Sequence, residues 1–127
     1  MHAGWSAGAR AEPHNHGGAS GAVLVLYGHF VETTWQLAGG TLAPLAQHRH
    51  GPGSVMTVGP GLIHALDART EGATLHVYAP PVSRMRVYDR AAQQVLELSD
   101  EHGAWLPNDA RHVLARCSFE EACDGRR

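Results

Sequence analysis

An all-β fold, a small barrel or sandwich, is what this sequence predicts. Short β-branched apolar runs recur roughly every ten residues, Gly/Pro turns separate them, and no helical pattern is evident before residue 107. A length of 127 residues with 43% apolar content suits a single domain over residues 1–127. Taken in order, residues 1–20 are rich in Gly, Ala and His and read as a weak strand around Trp5 followed by a loop. Ala22–Tyr27 and His29–Trp35 are both β-rich, and Gly28 between them predicts a hairpin turn. Gly39-Gly40 and the segment from Gln47 to Gly53 are turn-rich and enclose a weak strand near Thr41–Leu45. Further strands are expected at Ser54–Val58, Leu62–Leu66, Ala73–Tyr78, Arg84–Tyr88 and Gln94–Leu98. After Pro107, Asn108 or Asp109 is placed to cap a C-terminal helix, expected over 107–122 with Gly125 beyond its end.

Composition excludes several classes. With a formal charge of −2 and no run of basic residues, there is no electrostatic footprint for nucleic acid or for an anionic membrane. No apolar run reaches the length of a membrane span, and Met1–Trp5 lacks the basic start and apolar stretch of a signal peptide. The expectation is a cytoplasmic protein. Cys117 and Cys123, six residues apart, are expected to be reduced thiols and receive no role. The anomaly is ten histidines beside ten arginines and no lysine.

His14-Asn15-His16 is the sharpest local signal. In an extended segment residues i and i+2 project to the same side, so both imidazoles can reach one ion. Alone the pair is weak, since His48-Arg49-His50 repeats it. Its surroundings are more specific: Gly8-x5-His14-x-His16-x4-Gly21-x6-Gly28, followed by Gly53-x7-Gly61-x2-His64. These two blocks resemble the paired motifs of the cupin superfamily, small β-barrels of double-stranded β-helix form that hold a metal in their mouth. In that pattern a glutamate normally follows the second histidine by four or five positions, where this chain has Ser20 and Gly21. Three imidazoles leave a dication's charge uncompensated and up to three positions open, which an anionic substrate such as a thiolate would suit. Iron(II) is the expected metal where O2 is also to bind; ligand type alone leaves zinc, nickel and manganese open.

Thr74-Leu75-His76-Val77-Tyr78-Ala79-Pro80-Pro81, with Met85 and Tyr88-Asp89, is similar to the signature of the thiol dioxygenases, the cysteine dioxygenase family. The run from His14 to Gly21 resembles that family's bacterial form, and Trp5 stands where the family has tryptophan, so the resemblance covers residues 5–89. It implies His14, His16 and His64 as metal ligands, and Thr74, His76 and Tyr78 as a hydrogen-bonded catalytic row on one strand face. It also implies oxidation of a small thiol, of the cysteine or mercaptocarboxylate type, to a sulfinate with O2.

The chain departs from the family in several places. Gly21 occupies the position of the cysteine that animal members link to the tyrosine, Thr74 replaces serine, and Ala79 replaces the serine before the prolines. The family's upstream carboxylate-gripping residue has no counterpart, which leaves Arg10, Arg84 and Arg86 as candidate anchors by proximity. Missing upstream strands would expose a sheet edge, so a homodimer is expected. Two other readings remain: another metal-dependent cupin enzyme (carbon–carbon cleaving dioxygenase, isomerase or lyase), or a non-catalytic metal or small-ligand binding cupin. His29, His48, His50, His102 and His112 are expected at the surface, and Phe30, Trp35, Trp105 and Leu114 in the core.

Overall fold

The computed structural model describes residues 1–82, 84–98 and 113–123. Eleven strands and one short helix follow in order: β1 (His2–Trp5), β2 (Arg10–Asn15), β3 (Ser20–Tyr27), β4 (Phe30–Ala38), β5 (Thr41–His50), β6 (Val55–Val58), β7 (Ile63–Ala68), β8 (Gly72–Ala79), β9 (Arg86–Asp89), β10 (Gln94–Leu98), β11 (Val113–Ser118) and α1 (Phe119–Cys123). A four-stranded sheet runs β1-β8-β3-β6 and a seven-stranded sheet runs β11-β10-β9-β2-β7-β4-β5. From β1 to β4, and again from β5 to β9, the chain crosses between the sheets at each connection. That winding is the expected cupin architecture, the double-stranded β-helix.

Period-two alternation places one face of each sheet inward. Val23 and Val25 of β3, Met56 and Val58 of β6, Phe30 of β4 and Leu66 of β7 form the apolar layer between the sheets. Trp5 closes this layer edge-on against Phe30, with ring centroids 5.4 Å apart. Ile63, the residue before His64 on β7, joins a separate cluster with Tyr88, Val95 and Phe119, so α1 packs on the opposite face of the large sheet. Among the described residues no helix is long and apolar enough to cross a membrane.

The structure corrects several sequence expectations. Gly28 is a corner rather than a hairpin turn, because β3 belongs to the small sheet and β4 to the large one. Its φ of 91° and the backbone of Glu71 and Gly72, 2.6 and 2.7 Å from where a Cβ would sit, require glycine there. Residues 10–15 form β2 rather than a loop, and β5 continues to His50 through the segment read as a turn. Of the helix expected over 107–122, residues 107–112 lie outside the described residues and Val113–Ser118 are strand β11, paired with β10. Helix begins only at Phe119, where Ser118 Oγ accepts from the Glu121 backbone N–H at 3.1 Å and Glu121 Oε1 accepts from the Ser118 backbone N–H at 3.0 Å. This reciprocal capping box, Ser-x-x-Glu, marks the helix start better than the Asn-Asp pair does. Leu114 is exposed rather than core, and Trp105 lies outside the described residues.

In the small sheet Gly21 of β3 stands opposite Tyr78 of β8 in register and leaves no room for a side chain. A Cβ there would lie 2.0 Å from the Val77 carbonyl oxygen and 2.7 Å from Tyr78 Cδ1. Gly21→Ala should therefore push β8 away from β3 and destabilise the protein by about 1–3 kcal/mol, as overpacking does. Urea denaturation measures the loss, and wild-type stability in the variant would contradict it.

Candidate metal centre

Two neighbouring strands of the large sheet bring the three histidines together. In the β2–β7 ladder His14 stands directly opposite His64, and His16 follows just beyond the end of β2. All three are buried, at 4%, 2% and 1% exposure, and their ligand atoms lie within 4.8 Å of one another. Ring centroids are 4.8 Å apart for His14 and His16, 4.7 Å for His14 and His64, and 5.1 Å for His16 and His64. Asn15 anchors the segment between the first two, donating to the Tyr88 hydroxyl at 3.3 Å and accepting from the Gly17 backbone N–H at 3.1 Å.

Hydrogen bonds decide which nitrogens are available. His14 Nδ1 donates to the Glu12 carbonyl at 2.6 Å and His64 Nδ1 donates to Glu32 Oε2 at 2.8 Å, since neither oxygen can donate. Each ring then offers Nε2 as its lone pair. His64 Nε2 and His16 Nδ1 are buried without a hydrogen-bond partner. Unpaired buried nitrogens on adjacent imidazoles are costly in the absence of an ion and are what a metal would satisfy. Burial, together with the neighbouring histidines, holds His14 well below the usual imidazole range and brings His16 down to about 3. His14 and His16 thus resist protonation, and the three-histidine group can hold a metal ion.

The second row lies on β8 of the small sheet. Thr74, His76 and Tyr78 alternate along the strand and share its inward side. Trp5 Nε1 donates to Thr74 Oγ1 at 2.9 Å, Thr74 Oγ1 and His76 Nε2 are 2.7 Å apart, and His76 Nδ1 is 3.1 Å from the Tyr78 hydroxyl. That hydroxyl is in turn 3.1 Å from His16 Nε2, and the phenol ring stacks on His16 with centroids 4.7 Å apart. Burial raises Tyr78 to about 12 and lowers His76 to about 4, the latter helped by the Met1 α-amino group and by His64. The phenol thus keeps its proton and the imidazole stays neutral near pH 7.

A cavity of about 880 Å³ opens onto both rows, lined by His14, His16, His64, His76 and Tyr78 and by the apolar side chains of Leu66, Val82 and Met85. Of the three proposed arginine anchors, Arg10 and Arg84 line it and Arg86 does not. Arg10 pairs with Asp67 at 3.0 Å, and Arg84 pairs with Glu97. His48 is exposed as expected, but His50 is not a surface residue. Its Nε2 lies 3.2 Å from Glu32 Oε1 and its Nδ1 2.6 Å from Ser54 Oγ. His102 and His112 lie outside the described residues. Glu32, Asn15 and the bond from Trp5 to Thr74 were not read from the sequence. Glu32 carries no motif, and only strand pairing shows that it reaches His64.

No protein-family model and no curated protein matches the chain. Solved structures do. The Drosophila melanogaster CENP-C cupin domain superposes with a TM-score of 0.51 at 12% identity, over 61% of this chain and 54% of that one. Recombinant oxalate oxidase in complex with glycolate superposes with a TM-score of 0.50 at 18% identity, over 61% of this chain and 39% of that one. This chain spans between 39% and 59% of the length of such structures. At these identities the likeness establishes the cupin fold.

A stability profile follows from the buried imidazoles. A histidine whose pKa is lower in the fold than its ordinary 6.5 binds a proton less readily when folded, so its contribution is complete above 6.5 and is lost as pH falls. For His16 and His76 the window runs from about 6.5 down to about 3 and about 4 respectively. Urea denaturation of the metal-free protein should lose up to roughly 1.4 kcal/mol per pH unit for each such histidine across this window. A flat profile between pH 6.5 and pH 4 would contradict the buried, uncharged site.

Proposed function

We propose that this chain is a single-domain, iron(II)-dependent thiol dioxygenase of the cysteine dioxygenase type. The observation that supports this reading most is the continuous hydrogen-bonded row from Thr74 through His76 to Tyr78, ending on His16 of the three-histidine group. It joins the two motifs that carry the sequence resemblance. His14, His16 and His64 would hold the iron, which would bind a thiolate and O2 and supply the redox chemistry between them. The overall change is RS⁻ + O2 → RSO2⁻, which balances without an added reductant.

The chain's own groups have defined tasks in this scheme. Tyr78 keeps its hydroxyl proton to about pH 12 and so can donate a hydrogen bond at the cavity floor to substrate or to oxygen. His76 positions that hydroxyl and Thr74 positions His76, with Trp5 fixing Thr74 from the edge of the sheet. Leu66, Val82 and Met85 give the cavity an apolar wall. Of the candidate anchors for a substrate carboxylate, Arg10 and Arg84 line the cavity and would have to exchange their pairing with Asp67 and Glu97 for it. A cytoplasmic location and a homodimer belong to the same proposal.

Oxygen uptake measured after anaerobic iron loading tests it, with cysteine, 3-mercaptopropionate and other small thiols as substrates. Thiol-dependent uptake with sulfinate formation is expected; a protein holding stoichiometric iron that consumes no O2 with any of these thiols is not a thiol dioxygenase. His64→Ala should abolish metal binding, whereas Tyr78→Phe should keep the metal and lower turnover by about 10²-fold. Equal turnover in Tyr78→Phe would remove the tyrosine from the mechanism.

A further inference from the structure

The three-histidine group has no carboxylate among its candidate ligands, yet a carboxylate lies one hydrogen bond behind it. Glu32 is the only buried acid among the described residues, at 6% exposure. It stands on β4, the strand between β7 and β5. In the ladders Thr34 is opposite His64 and Phe30 is opposite His50, so Glu32 is the diagonal neighbour of both histidines on the same sheet face. Each carboxylate oxygen meets one imidazole: Oε2 accepts from His64 Nδ1 at 2.8 Å, and Oε1 accepts from His50 Nε2 at 3.2 Å. Ser54 holds His50 from behind, 2.6 Å from its Nδ1.

We propose that Glu32, held by His50, is the positioning carboxylate of this metal centre, acting through His64 in place of the glutamate ligand absent at Ser20 and Gly21. The inference rests on the metal-binding reading of the three histidines. Two physical effects carry it. A carboxylate on Nδ1 holds the His64 proton there, which leaves Nε2, the unpartnered buried atom, as the metal-facing lone pair. It also places one full negative charge a single ring away from a dication that three neutral imidazoles leave uncompensated. A carboxylate buried this deeply would be costly without its two donors, His64 and His50, so His50 serves to keep the charge in place.

The test uses Co(II) alone as the probe, under anaerobic conditions, with affinity from chelator competition and geometry from the visible ligand-field spectrum. Wild type is compared with E32Q, E32D, H50Q and H64A. Glutamine keeps the shape and can still accept from His64 while removing the charge. E32Q should bind Co(II) about 10- to 100-fold more weakly, with a shifted spectrum. E32D, which restores the charge, should recover part of that affinity, and H50Q should show a smaller loss than E32Q. Wild-type affinity and spectrum in E32Q, alongside loss of Co(II) in H64A, would overturn the inference and leave the metal site intact. Failure of wild type itself to bind Co(II) would overturn the metal reading and this inference together. Should E32Q fail to fold, wild-type affinity in both E32D and H50Q overturns the proposal, and weakened affinity in H50Q with an unaltered melting temperature supports it.

Discussion

Three imidazoles whose ring centroids lie 4.7 to 5.1 Å apart share one buried space, a crowding that disfavours positive charge on His14 and His16. For both, desolvation disfavours the charge and repulsion from the neighbouring histidines adds to it. The rest of the site is arranged around this constraint. A carbonyl takes the Nδ1 proton of His14 and a carboxylate takes that of His64, so those rings turn their remaining lone pairs toward one another. What results is a group of imidazole donors with no carboxylate among them, suited to a dication.

Sheet geometry accounts for how so many polar groups converge without disrupting a core of valines, Met56 and Phe30. Directly paired residues supply the close contact, as His14 and His64 do, and diagonal neighbours supply the next layer, as Glu32 does. On the facing sheet, alternation along β8 keeps Thr74, His76 and Tyr78 inward and leaves Leu75 and Val77 exposed. The two sheets make polar contact where Tyr78 stacks on His16 and bonds to it. Gly21 sits behind that point, and its missing side chain allows β3 to lie against Tyr78.

Much of this was legible from residue pattern. Strand positions followed from β-branched runs between Gly/Pro turns, and β3, β6, β7, β8, β9 and β10 fall on or beside the expected segments. The ligand candidates followed from the glycine and histidine spacing through the family resemblance that it carries, His-x-His alone being a weak signal. Other features were hidden for physical reasons. Nothing in the run Val113–Ser118 distinguishes an edge strand from a helix until β10 is there to pair with it. Gly28 reads as a hairpin turn because a corner between two sheets uses the same left-handed glycine.

The sequence by itself, then, was enough to determine an all-β fold, since strands follow from residues a few positions apart, and its motifs with the resemblance they carry named three histidines and the row on β8 as candidates. Tertiary structure alone decided what completes them. Glu32 and His64 are 32 residues apart in the chain, and Trp5 and Thr74 are 69 apart. Such partners are selected by strand order and register, which are properties of the whole sheet. A buried carboxylate and a surface one look the same in the sequence; only the strands on either side of β4 show that this one is held between two imidazoles.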